Sequence, residues 1–505
     1  MSNLTNIDTE LIMNSIRNNY LLFLIFLLGL VLRIYDLCSE SMWLDEGYSV
    51  AVAKLDLVAL IKQNFLSDYN HPPLYNAILH YWVLIFGDSE FASRLPSAIF
   101  GSFSIIAIYM VGRLAFNKNV GLLAALILAT SIFHIKYSQE ARSYSLLVFL
   151  TLLSYYFYLK IVSSKKRLYF LGYILSSVLL LYTHYFGFLI VAAQNIFFFT
   201  EYLGSRKVGE LGLKKWLESQ VVLFLLYIPG FVKLVITIIH TEGGGWRPET
   251  SLLDILKYFG SYSGSVSLFI LFLIFSSLSI LGLRQFKDKI GLKAILKPIE
   301  EYSEKLPLSN SNCVYLLVLW LFIPIALPYL VSLFTFPILI LRYTIMGSPA
   351  LYLLVAKGID NFVNRKVMVL VGALILVFSY FNIEEYQKSI KKTQWRETIA
   401  YIENNAGYGD SVVVYPYHLK YVANYYLERK DLHLNSLTDP FLLGTDISSK
   451  NLWAVTRIKN EMVEQAKNEM LEQALGENYD LLSQKIFKSW KVDLKLYKYR
   501  KKDSR

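Results

Sequence analysis

The sequence has little charge, little cysteine and none of the short motifs that bind nucleotides. Only 18% of its 505 residues are charged and two are cysteine, whereas soluble domains average about 25% charged residues. It contains no GxxxxGKS/T stretch and no GxGxxG stretch that opens a helix, so no nucleotide-binding loop is predicted. Two cysteines and seven scattered histidines provide no close-spaced metal cluster. An ordinary soluble domain is therefore not the first interpretation.

Long apolar runs take the place of these features. Hydrophobic residues make up 55% of the chain, and the mean hydropathy is +0.41. Runs of about 18 to 22 apolar residues recur, long enough to cross a hydrocarbon core of about 30 Å. The first run, residues 20–37, is too long and too polar at its flanks for a cleaved signal peptide, so we expect it to be retained. The sequence predicts a polytopic α-helical membrane protein.

The net charge of the chain is +11. In a membrane protein, Lys and Arg collect in the cytoplasmic loops, so this charge does not predict nucleic-acid binding. A further apolar helix over 73–87 is expected to lie in the membrane interface or to re-enter, because the basic connectors then share one side with the N-terminus. That side is cytoplasmic. The basic connectors are residues 160–167, 204–215, 284–297 and 357–366. The eleven predicted spans are residues 20–37, 93–113, 118–136, 141–160, 168–182, 184–203, 216–239, 266–283, 312–333, 340–357 and 366–383.

Two domains are predicted: a transmembrane domain over residues 1–383, with its first outer loop at 38–92, and a domain over 384–505. From residue 382 the sequence turns polar and reads as a helix, a Gly-Asp turn, a β-branched strand and another helix. We expect a small α/β domain outside an inner (plasma) membrane. Cys38 and Cys313 fall near opposite faces in this topology, so no disulfide is predicted between them. Further predicted elements are a strand at 452–458, a charged helix at 459–474 and a strand at 490–500.

The stretch SMWLDEGYS places two adjacent carboxylates, Asp45 and Glu46, just past the first predicted span. Burying an ionised group beside hydrocarbon is expensive, so this pair suggests a function. The structural alternative is a solvated turn, or carboxylates that begin the helix GYSVAVAKL. Neighbouring helical residues point about 100° apart, so we expect the two acids to have different roles.

Cationic residues lie in other predicted outer segments. His71, in NHPPLYNAILHYW, precedes two prolines that suit the first turn of a helix, so a simple proline-started helix is the alternative. In HIKYSQEARSYS, Lys136, Glu140 and Arg142 interrupt two apolar helices at a short turn. Glu140 and Arg142 alternatively pair with each other. These segments place several charges at the predicted outer face.

Two arginines lie at the predicted ends of spans. Arg94, in FASRLPSAIFG, begins a span, and Arg342, in LRYTIMG, lies just inside an outer helix end. Snorkelling to the interface is the alternative explanation for both. An arginine in the position of Arg342 attracts an anion. Lipid phosphate is the natural anion at that depth.

Together, these residues suit a reaction on a phosphate-linked lipid. The lipid tail stays in the bilayer while the phosphate meets the cations. A carboxylate acts as general base on an incoming hydroxyl, and guanidinium groups stabilise the charge that builds on the leaving phosphate.

The ordered motifs WLDEGYS, HPPLY, SEFASRLPSAIFG and YSQEARSY resemble the polyprenyl-phosphate-sugar-dependent glycosyltransferases of the GT-C superfamily. Within it they are similar to the dolichyl-phosphate-mannose protein mannosyltransferase-like group, which includes aminoarabinose transferases of lipid A. The resemblance covers about residues 20–200, and LRYTIMGSPALYLLVAKG is similar to the late Arg-Tyr helix of the family. It implies a GT-C fold with about 11–13 transmembrane helices, membrane-lying helices in the first outer loop and a small outer C-terminal domain.

The resemblance also implies roles for the candidate residues. Asp45 matches the catalytic base of an inverting transfer from undecaprenyl or dolichyl phosphate to a hydroxyl acceptor on the outer face, and Glu46 would hold the acceptor or tune Asp45. A phosphate leaves without being protonated, so one base suffices. The other candidates are the donor-phosphate ligands His71, Lys136, Arg142 and Arg342 and the supporting residues Trp43, Arg94, Tyr137 and Glu140.

Two other classes remain open at this stage. A lipid-sugar flippase or transporter is expected to carry ionisable residues near mid-membrane, and a non-catalytic assembly factor would keep the fold without needing Asp45. The motifs name neither the sugar nor the acceptor, which is a protein, a lipid or a glycan. They require no cofactor. Whether a divalent metal bridges Asp45 or Glu140 to phosphate is left open. GGGW at 243–246 is interpreted as a flexible loop or as a flap over the site.

Overall fold

The computed structural model describes residues 20–67, 71–240, 251–281, 307–362, 365–389, 392–439, 449–458, 462–489 and 492–502. The predicted basic connector 284–297, the GGGW stretch and the first residues of the predicted helix 459–474 lie outside these described residues.

The described helices follow the apolar runs of the sequence. In chain order they are α1 (Tyr20–Ile34), α2 (Leu44–Ala53), α3 (Leu57–Lys62), α4 (Leu74–Phe86), α5 (Glu90–Ala115), α6 (Lys118–Thr130), α7 (Ile132–Ser138), α8 (Tyr144–Ser163), α9 (Arg167–Thr183), α10 (Gly187–Ser205), α11 (Leu213–His240), α12 (Leu252–Ser263), α13 (Val266–Ile280), α14 (Asn310–Phe334), α15 (Ser348–Asp360), α16 (Arg365–Lys388), α17 (Trp395–Asn405), α18 (Lys420–Tyr426) and α19 (Met462–Asn478). A 3-10 segment, Leu341–Gly347, precedes α15.

Among the described residues, six helices are long and apolar enough to cross a membrane, and there are up to eight spans if each of two bent helix pairs counts as one. The six are α5, α8, α10, α11, α14 and α16. Three shorter apolar helices, α1, α4 and α9, accompany them. Helix α4 has 13 residues and is therefore about 20 Å long, less than the hydrocarbon core. The predicted class, a polytopic helical membrane protein, is confirmed.

Three predicted segments differ from the structure. The predicted span 118–136 is the pair α6 and α7, bent by 60°, because Ser131 begins a new helix by accepting a hydrogen bond from the backbone N–H of His134. The predicted span 340–357 begins as the 3-10 segment, and only α15 is α-helical. The predicted outer loop 240–265 contains helix α12. In each case the secondary structure changes within an apolar stretch, and hydrophobicity alone does not predict where it changes.

Arg33 explains how the break between α6 and α7 is stabilised. Its side chain is fully buried, and it donates hydrogen bonds to the carbonyls of Leu128 (3.0 Å) and Ala129 (3.1 Å) at the end of α6 and to Gly29 (2.9 Å). The last carbonyls of a helix have no partner within that helix. The guanidinium therefore supplies the hydrogen bonds that the bend removes.

The chain consists of two compact units. The first contains the described residues within Met1–Tyr35, Ile61–Ala77 and Arg94–Tyr386, and the second those within Asp36–Leu60, Ile78–Ser93 and Gln387–Arg505. The predicted C-terminal domain thus shares its compact unit with most of the predicted first outer loop.

The second unit contains a five-stranded sheet in the order β2-β1-β3-β5-β4. Strands β2, β1 and β3 are parallel neighbours, and β5 pairs antiparallel with β3 and β4. Its core includes Met42 and Val50 of the predicted first outer loop beside Trp395 and Val414. Apolar residues of that loop therefore pack as part of the C-terminal domain. The strands are β1 (Ser411–Tyr415), β2 (His433–Ser436), β3 (Asn451–Ile458), β4 (Tyr479–Phe487) and β5 (Asp493–Lys501).

Candidate functional site

The acidic motif forms the first turn of helix α2 in the second unit. Asp45 and Glu46 both lie in that turn, where the positive end of the helix dipole favours negative charge. The Glu46 carboxylate accepts a hydrogen bond of 3.3 Å from the backbone N–H of Trp43, the residue before the helix. The two acids thus begin a helix, which was the structural alternative for this motif.

The environments of the two acids differ. Glu46 is fully buried, and its carboxylate lies 2.8 Å from the ammonium of Lys392, whose side chain is 12% exposed. The backbone N–H of Lys392 donates to Glu40 (3.0 Å). Asp45 is half-buried. The two adjacent acids therefore lie in different surroundings, and their different roles stay a prediction.

Gly47 and Tyr48 explain the rest of the motif. A Cβ on Gly47 would lie 2.8 Å from Cα of Val422, closer than real side chains approach a backbone. The ring of Tyr48 meets that of Tyr421 edge-on, with centroids 5.0 Å apart. The sequence DEGY therefore lets α2 pack closely on α18 within the second unit.

An open pocket in the first unit gathers residues from four separate connections between helices. Arg142 precedes α8, His184 follows α9, Tyr343 belongs to the 3-10 segment, and His71 precedes α4. Its lining residues include His71, Tyr75, Arg142, His184 and Tyr343. Two predicted phosphate ligands, His71 and Arg142, thus line one pocket.

Arg142 and His71 are in direct contact. Nη2 of the buried Arg142 lies 2.7 Å from Nε2 of His71. A guanidinium has only donors, so Nε2 accepts, and a neutral His71 carries its proton on Nδ1. The carbonyl of Arg142 accepts from Oγ of Ser97 (3.0 Å), which is 2.9 Å from the hydroxyl of Tyr75. The backbone of Arg142 is therefore linked through Ser97 to both α4 and α5.

His184 adds a neutral donor to this charged group. Nδ1 accepts from the backbone N–H of Phe186 (3.1 Å), so Nε2 carries the proton. Enclosure by the protein, followed by electrostatic interactions with His71, Arg142 and Arg342, lowers the pKa of His184 to about 3. The imidazole is therefore neutral at physiological pH. The same interactions show that Arg342 lies within electrostatic range of the pocket.

Tyr343 connects Arg342 to the pocket. The guanidinium carbon of Arg342 lies 5.6 Å from the centroid of the Tyr343 ring, and that ring lies 4.7 Å from the ring of His184. Two of the four predicted phosphate ligands, His71 and Arg142, thus line the pocket, and a third, Arg342, lies beside the lining residue Tyr343. The fourth, Lys136, has its ammonium 5.3 Å from the ring of the buried Tyr137.

The remaining supporting candidates are buried. Glu140 is 4% exposed and Arg94 is 1% exposed, so Arg94 does not extend to the surface as the snorkelling alternative requires. Within the described parts of the chain, no group of three His, Cys, Asp or Glu side chains is arranged to hold a metal ion. Cys38 is exposed and Cys313 is buried, and neither forms a disulfide.

Lys233 is a site residue that the sequence interpretation missed. It lies in α11 with a side chain only 1% exposed, and its ammonium donates to the backbone carbonyls of Asn64 and His71. A single lysine inside the apolar run 216–239 was the available signal, because an ammonium within a membrane helix needs partners. His184 and Tyr343 were missed as well, since an isolated residue in a short turn carries no pattern.

Residues 70–232 match the family model described as dolichyl-phosphate-mannose-protein mannosyltransferase. A protein of Aquifex aeolicus (strain VF5), described as uncharacterized, is 29% identical over 228 residues, which are 42% of this chain and 43% of that protein. The match therefore spans less than half of that relative.

Solved structures give matches over nearly the whole chain. The crystal structure of ArnT from Cupriavidus metallidurans in the apo state is 12% identical, with a TM-score of 0.60, covering 94% of this chain and 97% of that one. ArnT bound to undecaprenyl phosphate is 13% identical, with a TM-score of 0.58 and coverages of 95% and 98%. The Archaeoglobus fulgidus oligosaccharyltransferase in complex with Zn and sulfate is 12% identical, with a TM-score of 0.53 and coverages of 92% and 72%. The resemblance seen in the sequence is thus confirmed: residues 70–232 match the mannosyltransferase family model, and the chain has the fold of these membrane glycosyltransferases.

Proposed function

We propose that this protein transfers one sugar from a polyprenyl-phosphate carrier to a hydroxyl group, at the outer face of the inner membrane and with inversion at the anomeric carbon. The observation that supports it is the pocket of the first unit. There Arg142, His71 and His184 meet at the ends of apolar helices, and the guanidinium carbon of Arg342 lies 5.6 Å from the centroid of the Tyr343 ring. An anionic head group attached to an apolar chain suits this combination.

The chemistry of the pocket favours phosphate. Guanidinium groups match phosphate oxygens with several parallel donors, and the neutral His184 adds an N–H donor at Nε2. These donors would hold the phosphate of the carrier and stabilise its charge as the sugar leaves. Lys136 is proposed as a further cation near this group, and Glu140, Arg94 and Tyr137 as buried residues that position it.

Asp45 is proposed as the general base. Its carboxylate takes the proton of the acceptor hydroxyl as that oxygen bonds to the anomeric carbon, the bond from carbon to phosphate oxygen breaks, and polyprenyl phosphate leaves as the anion. Glu46 is proposed to hold α2 in place, because its carboxylate is buried against Lys392. Trp43 would support the same helix start.

Similar proteins support the donor class. One of the similar ArnT structures is bound to undecaprenyl phosphate, and a structure of the Archaeoglobus fulgidus protein AglB, with a TM-score of 0.50, is in complex with a dolichol-phosphate. These ligands belong to those proteins. They make undecaprenyl phosphate the first ligand to test on this chain.

The proposal is tested with the purified full chain in nanodiscs. We expect saturable binding of undecaprenyl phosphate, and transfer of label from one of a panel of undecaprenyl-phosphate hexoses and pentoses to acceptors in membranes that lack this protein. Absence of both binding and transfer would refute the donor class. Movement of the lipid across vesicles without transfer would favour the flippase alternative.

Orientation is tested separately with the native cysteines. Cys38 is exposed and lies at the start of the first outer loop, while Cys313 is buried. We expect a membrane-impermeant maleimide to label intact cells at Cys38, and a Cys38→Ser variant to lose this label. Labelling of Cys38 only after the cells are opened would place the loop on the cytoplasmic side.

A further inference from the structure

Helix α12 presents three different faces. Leu252, Leu253 and Leu256 are 67%, 73% and 58% exposed, and at 100° per residue they lie within one 100° arc. Beside this arc, Asp254 and the exposed Lys257 form an ion pair of 2.5 Å. Tyr258 and Tyr262, on the remaining side, are buried. The helix thus has an apolar outer face, a charged edge and an inner face packed in the protein.

The bend after α12 restricts how it meets a membrane. Its axis turns by 99° into the apolar helix α13. Gly264 makes the turn with a φ of +90°, a conformation that side chains disfavour, and the hydroxyl of Ser265 begins α13 by accepting from the N–H of Leu268. If α13 runs across the bilayer, a helix bent by this angle runs nearly parallel to the membrane plane. Its exposed leucines and its charged edge then suit the boundary between acyl chains and head groups.

The inner face of α12 holds the segment that carries Arg342. The hydroxyl of Tyr262 lies 2.6 Å from Oγ1 and 3.0 Å from the carbonyl oxygen of Thr344. The carbonyl of Tyr262 in turn accepts from the hydroxyl of Tyr352 (2.8 Å). Tyr258 makes a longer hydrogen bond of 3.4 Å to the carbonyl of Leu339. Tyr258 and Tyr262 of α12 therefore form hydrogen bonds to the chain on both sides of Arg342.

We propose that α12 is an interfacial helix that rests its leucine face on the lipid and, through Tyr262, sets the depth at which Arg342 meets the head group of a lipid substrate. The partner is the bilayer surface itself. The first half of the proposal concerns membrane position alone. The second half, in which Tyr262 is a positioning residue for donor binding, rests on the proposed function.

Membrane position is tested with spin labels on cysteine variants of Leu252, Leu256 and Phe259, in a Cys38→Ser parent that keeps the buried Cys313. The protein is placed in nanodiscs of phosphatidylethanolamine and phosphatidylglycerol, and accessibility to oxygen and to a water-soluble nickel complex is measured. These residues share a face and span about 10 Å of helix axis. We expect equal depths near the head groups, and a more water-accessible label at Lys257. A steady change of about 10 Å in depth would show a broken span, and full water exposure would exclude lipid contact.

Positioning is tested with Tyr262→Phe, which removes one hydroxyl and leaves the ring. We expect the Kd for undecaprenyl phosphate to rise about fivefold, as for one lost hydrogen bond, with an unchanged thermal midpoint. Tyr258→Phe is the matched control, since its longer hydrogen bond predicts a change under about twofold.

A double variant, Leu252→Gln with Leu256→Gln, tests the coupling from the lipid side. We expect shallower labels and a similar rise in Kd. Shallower labels with an unchanged Kd would overturn the coupling. Should the parent protein fail to bind undecaprenyl phosphate at all, the proposed function fails, while the label depths still decide where α12 lies.

Discussion

The pocket of the first unit and the acidic helix of the second place their charges in opposite ways. His71, Arg142 and His184 are far apart in the sequence, yet they line one pocket. Asp45 and Glu46 are adjacent in the sequence, yet Asp45 is half-buried whereas Glu46 is fully buried and paired with Lys392. Spacing along the chain is therefore a poor guide to which charges act together.

This comparison also separates two uses of charge. In the second unit, described cations meet acids directly: Lys392 contacts Glu46, Arg396 contacts Glu90 and Lys54 contacts Asp88. In the first unit, Arg142 contacts an imidazole and Arg342 a phenol ring. The contacts in the second unit are typical of structural ion pairs, whereas Arg142 and His71 line the pocket of the first unit.

The largest effect is expected for Asp45→Asn, which removes the proposed base and keeps the shape of the side chain. Loss of a general base typically costs a factor of about 10²–10⁴ in rate. We expect sugar transfer to fall by that factor, while binding of undecaprenyl phosphate and the thermal midpoint stay at the parent values. Equal transfer by both proteins would show that Asp45 is not the base and would revive the assembly-factor alternative.

The adjacent Glu46→Gln is expected to act on stability instead. Removing one partner of a buried ion pair leaves the other charge uncompensated, at a cost of about 3 kcal/mol. We expect a lower unfolding midpoint in denaturant, partly restored by adding Lys392→Met. Loss of transfer in a Glu46→Gln protein of parental stability would instead assign Glu46 to the reaction, as the sequence first suggested.

Arg142→Gln tests the pocket itself. Hydrogen bonds to charged groups contribute about 1.5–3 kcal/mol, so we expect the Kd for undecaprenyl phosphate to rise about 10- to 100-fold. The control is Arg429→Gln in the second unit, where the arginine pairs with Asp431 at 2.5 Å. If the control weakens binding as much as Arg142→Gln, the pocket is not the phosphate site.

Much of the fold was predictable because a membrane span is a local property. The six long helices correspond to predicted spans, such as α11 to residues 216–239 and α16 to residues 366–383. Strand β1 was predicted from its β-branched run. Strand β4 was not, because an exposed edge strand shows no clear alternation of apolar and polar residues.

The candidate site was predictable only in part. Motifs beside prolines or charges, such as HPPLY and QEARSY, pointed to His71 and Arg142. Which turns meet is decided by helix packing, so the contributions of His184 and Tyr343 could not be read from local pattern. The same limit hid α12, whose inner contacts join residues 262 and 344.

The smallest effect is expected for Lys233→Met. The ammonium of Lys233 is hydrogen-bonded to two backbone carbonyls, one of them that of His71. Methionine keeps the apolar stem and removes the donors, so the segment that carries His71 loses its anchor while Arg142 keeps its charge. We expect a rise in Kd for undecaprenyl phosphate of about fivefold, smaller than for Arg142→Gln, with little change in transfer at saturating donor. Lys233→Arg, which keeps a charged donor, is expected to restore most of the affinity. A loss of affinity in Lys233→Met as large as that in Arg142→Gln would mean that Lys233 binds the phosphate directly instead of holding the segment that carries His71.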